Sequence, residues 1–302
     1  MQDQGNTRRD LIGIGWMVAT GLSFVAVSGI VRALDGALPA AQAAFIRFCF
    51  GIVFLGPALA PALRAGFSAS VWQLFGLRGA LHVAAVLAWF YAMSRIPVAE
   101  VTAIGYLNPV VVTVGAALFM GERISTRRIA AIAVAVLGAV IVLRPGIRTL
   151  DPGHLAQIAA AVCFGTSYLV AKRLSLLASP AVVVAMLSLT VTVGLAPLAA
   201  VVWVPPTLMQ VVGLGLVAVF ATLGHYTMAR AFAAAPLTVT QPVTFLQLIW
   251  AALLGWFVFH EPLDGWVIFG GALMIGAITY ITWRESRGRG RVVTPPAGVT
   301  KG

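Results

Sequence analysis

The chain has 302 residues, of which 60% are apolar and 10% charged, and its formal net charge is +11. An ordinary soluble domain carries about 25% charged residues, so the composition excludes a soluble enzyme, a disordered chain and a coiled coil, and points to a polytopic membrane protein. Cys49 and Cys163 both lie in apolar runs, which excludes a disulfide framework and a cysteine zinc site.

A membrane helix needs about 20 apolar residues. In chain order the pattern predicts ten spans: Leu11–Val31, Ala40–Leu59, Trp72–Ser94, Val98–Met120, Arg128–Leu143, His154–Lys172, Pro180–Val204, Met209–Ala233, Leu237–Phe259 and Leu263–Trp283. The connections are short and hold the helix breakers: Pro39, Pro61, Pro97, Pro145-Gly146, Pro152, Pro205-Pro206, Pro236 and Pro262. Polar tails cover 1–10 and 284–302. The first span has a basic flank, Arg8-Arg9, as a signal peptide has. It is long for one and nine spans follow, so it is expected to be retained.

The charges orient the spans. With the N-terminus in the cytoplasm, the cytoplasmic segments hold Arg8, Arg9, Arg64, Arg123, Arg127, Arg128, Lys172, Arg173, Arg230, Arg284, Arg287, Arg289, Arg291 and Lys301. The outer segments hold only Arg32, Arg95, Arg144 and Arg148. This positive-inside bias predicts that both termini are cytoplasmic, in a bacterial-type plasma (inner) membrane. It also makes most of the basic excess an orientation signal, with anionic lipid rather than nucleic acid as the partner of the tail.

The chain repeats itself. At a shift of 139 residues Ala92 meets Ala231, Pro97 meets Pro236, Leu107 meets Leu246, Glu122 meets Glu261, and Asn108 meets Gln247. At a shift of 140, Leu22-Ser23-Phe24 meets Val162-Cys163-Phe164. The predicted organisation is therefore two five-helix units, 11–144 and 151–283. Because five is odd, the second is inverted relative to the first. Inverted repeats are characteristic of secondary transporters, with the substrate site near the midplane between them.

These features resemble the EamA-type carriers of the drug/metabolite transporter superfamily. The resemblance rests on Phe90-Tyr-Ala-Met-Ser-Arg-Ile-Pro97, Asn108-Pro109, Gly121-Glu122-Arg123 and Gly138 with Leu143-Arg144-Pro145-Gly146. In the second half it rests on Ala229-Arg-Ala-Phe-Ala-Ala-Ala-Pro236 and His260-Glu261-Pro262. Leu248 stands where the first half has Pro109, and His260 where it has Gly121, so the fourth and ninth helices are expected to bend differently. The resemblance implies ten helices and alternating-access transport of a small organic metabolite by exchange, proton coupling or facilitated flux.

Polar residues inside spans are costly and are candidate functional groups. Asn108 and Gln247 are repeat-related amides near the middle of their helices, expected to line a substrate cavity with Tyr106, Thr240, Thr244, Trp250, Trp89, Ser167 and Tyr226. Arg47 is a candidate carboxylate anchor, with a structural clamp on backbone carbonyls as the plainer reading. Arg78 is expected to snorkel to the inner interface. Glu100, His82 and His225 are candidate proton-coupling groups; helix-end stabilisation for Glu100 and interhelical hydrogen bonding for the histidines are the plainer readings. Glu122 and Glu261 are read as structural loop residues. The turns at Pro97 and Pro236 are candidate gate pivots. With little acid among the candidates, the expected substrate is neutral or zwitterionic: amino-acid-like, nucleoside-like or vitamin-like. No metal, cofactor or ATP motif is present. The alternative is an intramembrane enzyme, lipid-modifying or using Ser167 of Gly165-Thr-Ser167-Tyr168 as a serine protease does. Against the protease stand the missing second glycine and histidine context.

Overall fold

The computed structural model describes residues 2–34, 36–120, 126–147, 149–174, 176–235, 243 and 245–289. Among these residues the chain is all-helical: α1 (Gln2–Ala33), α2 (Ala40–Ala65), α3 (Ala69–Met93), α4 (Val98–Gly105), α5 (Leu107–Met120), α6 (Thr126–Leu143), α7 (Pro152–Leu174), α8 (Pro180–Val201), α9 (Leu208–Ala234), α10 (Phe245–Phe259) and α11 (Gly265–Arg289). Six of the helices carry stretches long and apolar enough to cross a membrane, and shorter apolar stretches run through Val98–Val112, Ile129–Leu143, Leu246–Phe259 and Gly265–Tyr280. The protein is a multi-pass membrane protein.

The helices start and stop where the chemistry directs. Ser179 accepts a hydrogen bond from the Val182 N–H at the head of α8, ahead of Pro180. Thr207 and Gln210 form a reciprocal capping box on α9. The second span's apolar stretch is Ala40–Pro57, within two residues of its expected end, and its helix continues past Pro61 to Ala65. One expectation needs correction. The fourth span is broken: Tyr106 ends α4 with its N–H turned to Ala103, and α5 starts at Leu107. The cause is Pro109, which has no N–H for the Gly105 carbonyl and whose ring crowds it. The beginning of the ninth span, including Pro236, Thr240 and Thr244, lies outside the described residues, as does Glu122.

Packing follows a fixed pairing. α1 lies along α9 and α3 along α7; α2 packs on α8 and α6 on α11; α5 touches α7, and α10 touches α1. The main core is built from Phe90, Met93, Ile96, Val98, Ile104, Leu195, Leu214 and Leu248. Small residues allow one crossing to close onto the backbone. A Cβ on Gly138 would stand 2.6 Å from the Gly270 carbonyl oxygen, and one on Gly270 2.6 Å from the Gly138 carbonyl oxygen. α6 and α11 therefore meet backbone to backbone.

One end of the bundle is tied by polar contacts between its loops and helix ends. Arg32 pairs with Glu261 at 2.9 Å and donates from Nη1 to the Met93 carbonyl at 2.7 Å. Glu261 also accepts the Val98 N–H at 3.0 Å, capping α4. Arg144 pairs with Asp264, Arg95 lies 3.7 Å from Asp151, and the Gln42 amide holds Val204 through both its N–H and its carbonyl. These contacts link the loops after α1, α3, α6, α8 and α10 at one end of the bundle, here termed the ion-paired end.

Candidate functional site: a central cavity

Helices from both halves of the chain leave a cavity of about 390 Å³ in the bundle. α4 and α5 contribute Thr102, Gly105, Tyr106, Asn108 and Pro109. α3 contributes His82 and Trp89, α2 Arg47, α7 Gln157 and Tyr168, α9 His225, and α10 Gln247. The break in the fourth span lies in this wall, so Tyr106 and Asn108 reach the cavity from the two sides of a helix interruption. Gly165 lets α7 come close there: a Cβ on it would lie 2.7 Å from Val111 Cβ and 3.0 Å from the Asn108 carbonyl oxygen.

Aromatic rings frame the polar groups. The Arg47 guanidinium lies 4.4 Å from the centroid of Phe48. Phe48 and Phe164 meet the His82 ring edge-on at 5.9 and 5.0 Å, and Phe24 meets His225 at 5.3 Å. Trp89 is held against Phe90 at 5.2 Å. Three polar atoms of the wall are buried without a hydrogen-bond partner: Arg47 Nε, Asn108 Oδ1 and Gln157 Oε1. Gln157 spends its Nε2 on the Val101 carbonyl at 3.0 Å, which fixes Oε1. An unmet buried polar group costs about 1–3 kcal/mol. One donor and two acceptors thus stand open in a wall that, among the described residues, carries no carboxylate.

Of the residues singled out in the sequence, the cavity brings together Arg47, His82, Trp89, Tyr106, Asn108, His225 and Gln247. Others lie elsewhere. Trp250 is half-buried against the main core, away from the cavity lining, with Nε1 unpartnered. Tyr226 is 55% exposed on the outside of the bundle, with Arg230 over its ring at 5.9 Å. Its neighbour His225 takes the inner face, because adjacent helical residues point about 100° apart. Ser167 is fully buried behind the wall, with Oγ 3.4 Å from His82 Nδ1. Thr240 and Thr244 lie outside the described residues.

Glu100 is buried but faces α7 rather than the cavity, with Oε2 2.7 Å from His154 Nε2. Arg78 does not snorkel. It is buried and donates from Nη1 to the Val183 carbonyl at 2.8 Å, clamping α3 to α8. Sequence reasoning missed Gln157, Tyr168 and His154. All three lie on the sixth span, where the helical spacing of Gln157 from Phe164 and Tyr168 was the available signal.

A multi-pass helical bundle that encloses a partly polar central cavity has the architecture of a membrane transport protein. The particular family follows from comparison with known proteins. Residues 11–144 and 151–283 match the EamA-like transporter family, and the chain belongs to it. A riboflavin transporter of Rhizobium johnstonii is 30% identical over 288 residues, covering 92% of this chain and 93% of that one. An S-adenosylmethionine uptake transporter of Rickettsia bellii is 28% identical, covering 91% and 95%. A pseudopaline exporter of Pseudomonas aeruginosa is 27% identical, covering 89% and 95%. One crystal structure superposes with a TM-score of 0.60 at 20% identity, over 93% of this chain and 99% of that chain, which shows the shared fold.

Proposed function

We propose that the protein is a secondary-active, alternating-access carrier of a small zwitterionic metabolite bearing a planar ring, with the central cavity as its binding site. The observation that carries this reading is the set of three open polar atoms in an acid-free wall. Arg47 Nε wants an acceptor, as a carboxylate supplies, while Asn108 Oδ1 and Gln157 Oε1 want N–H donors. Trp89, Tyr106 and Tyr168 offer faces for a flat ring. S-adenosylmethionine and riboflavin, named for the relatives, both carry planar rings.

The same reading takes 11–144 and 151–283 as inverted five-helix units with both termini cytoplasmic. The helix pairing supports it. Exchanging each helix for its repeat partner turns the α1–α9 contact into α7–α3, α5–α7 into α10–α1 and α3–α8 into α9–α2, all of which exist. On this reading the positive-inside count favours the ion-paired end facing outside, in an inner membrane, with the polar contacts there holding that end together. Movement of one unit against the other would open that end.

The test is a thermal-shift screen of purified protein against amino acids, nucleosides, flavins and their derivatives, followed by counterflow in liposomes holding only this protein. A ligand at 100 times its dissociation constant stabilises by about 2.7 kcal/mol. The expected ligands combine a carboxylate, an N–H donor and a ring. Stabilisation and counterflow only by bare cations would overturn the assignment.

A further inference from the structure

We propose that the break between α4 and α5 is a seat for a primary ammonium group, so that the substrates carry a free amino group. This deepens the zwitterion reading of the central cavity, on which it rests. A helix runs out of donors for its last carbonyls, and here the break leaves two of them in the cavity wall. The Gly105 carbonyl would take the N–H of residue 109, and Pro109 has none. The Thr102 carbonyl would take the N–H of Tyr106, which turns to the Ala103 carbonyl at 3.1 Å instead. Thr102, Gly105, Tyr106 and Pro109 all line the cavity. The wall thus presents backbone oxygens without their helical donors, at the negative end of a helix dipole.

Two side-chain oxygens join them. Gln157 comes from α7 and is 3% exposed. Its Nε2 donates to the Val101 carbonyl at 3.0 Å, so the amide cannot turn over without setting two oxygens against each other. Its Oε1 is therefore fixed, buried and without a partner, on a residue of the cavity wall. The amide stands at the break itself: a Cβ on Gly105 would lie 3.6 Å from Gln157 Nε2. Asn108, on the far side of the break, adds Oδ1, which is also buried without a partner. A primary ammonium group carries three N–H donors and no acceptor, which suits a group of oxygens. An N-acyl amine keeps one N–H and brings a carbonyl of its own, and a quaternary amine has no N–H at all.

No carboxylate among the described residues of the wall answers the ammonium charge, so the counter-charge must come with the ligand. Arg47 is the partner for that counter-charge. It enters from α2, which packs on α3, α8 and α9, whereas α4 packs on α7, α10 and α11. The two charges of a zwitterion therefore have separate partners on separate walls of one cavity. A bare amine leaves Arg47 Nε unmet, and an N-blocked amino acid leaves the oxygens of the break unmet.

The test is a set of thermal-shift titrations on purified wild-type protein with L-tryptophan, N-acetyl-L-tryptophan, N,N,N-trimethyl-L-tryptophan and riboflavin. L-tryptophan is expected to bind roughly 10- to 100-fold tighter than either blocked form, the effect of losing hydrogen bonds from a charged group. Equal or tighter binding of the N-acetyl form, or stabilisation by riboflavin alone, overturns the seat and leaves the cavity as the binding site. Stabilisation by none of the four sinks the zwitterion reading with it. Pro109→Ala gives the Gly105 carbonyl a donor, and should weaken L-tryptophan about tenfold while the unliganded midpoint holds or rises. An equal loss for N-acetyl-L-tryptophan in that variant would trace the effect to cavity shape and count against the seat. If the variant does not fold, the wild-type comparison decides alone. Sodium chloride against choline chloride is the last arm. Stabilisation by sodium without any amine, lost in Pro109→Ala, would make these oxygens a metal site and overturn the proposal.

Discussion

Arg47 and Arg78 look alike in the sequence, both arginines within apolar helices, and the fold separates them by what their donors meet. Arg78 finds the Val183 carbonyl and becomes a clamp between α3 and α8. Arg47 faces the cavity with Nε open and Phe48 at its back. Hydrogen bonds to charged groups contribute about 1.5–3 kcal/mol. Arg47→Gln is therefore expected to weaken a carboxylate-bearing ligand by roughly 10- to 100-fold while leaving its methyl ester little changed. Arg47→Lys should recover only part, because it keeps the charge and loses the fork. Ligand-dependent thermal shifts for acid and ester on the three proteins measure this, and equal losses for acid and ester would remove Arg47 from substrate binding. The same residues show how far the sequence reached. Repeat register placed Asn108 and Gln247 in one wall, since it reports which positions are equivalent. It gave no information on facing direction for Trp250 or Tyr226, where one step along a helix decides between core, cavity and lipid.

The elements divide in the same way. The positions of the apolar helices and most of their boundaries were legible because apolar length is a composition signal carried by every residue in the window. A distinct bend of the fourth span was expected from Pro109, whereas its full break into two helices was not, because a span of hydropathy does not register the loss of one N–H. The closeness of α6 and α11 is also a local matter: Gly138 and Gly270 each put a bare backbone against the other's carbonyl. Adding one methyl there forces the helices apart, and overpacking of this kind costs about 1–3 kcal/mol. Gly138→Ala and Gly270→Ala are each expected to lower the thermal midpoint in detergent. Because they relieve the same contact, the double variant should lose less than the sum of the two. Gly276→Ala, where a Cβ would meet open space, is the control and should leave the midpoint in place. A midpoint unchanged in all three would mean that the crossing is looser than the backbone contact requires.

At the scale of the whole molecule, the ion-paired end is the part least visible in the sequence, since its partners are far apart along the chain: Arg32 with Glu261, Glu100 with His154, Gln42 with Val204. Glu261 was read as a loop residue of structural value, and its contacts with Arg32 and the Val98 N–H give that reading atoms. If the carrier works by alternating access, this end must come apart in every cycle, and a covalent bridge across it must stop transport. Arg95 and Gly153 offer the place. A Cβ built on Gly153 lies 2.9 Å from Arg95 Cβ, across the seam between the α3–α4 turn and α7. Disulfides hold their Cβ atoms about 3.8 Å apart, so less than 1 Å of outward adjustment admits the bond. The Arg95–Asp151 contact that is lost is half-exposed and 3.7 Å long, and such surface pairs contribute little. In a chain without Cys49 and Cys163, Arg95→Cys with Gly153→Cys should transport when reduced, stop when oxidised, and recover on reduction. Undiminished counterflow in fully cross-linked protein would mean that this face stays closed throughout the cycle and that substrate leaves the cavity by another route.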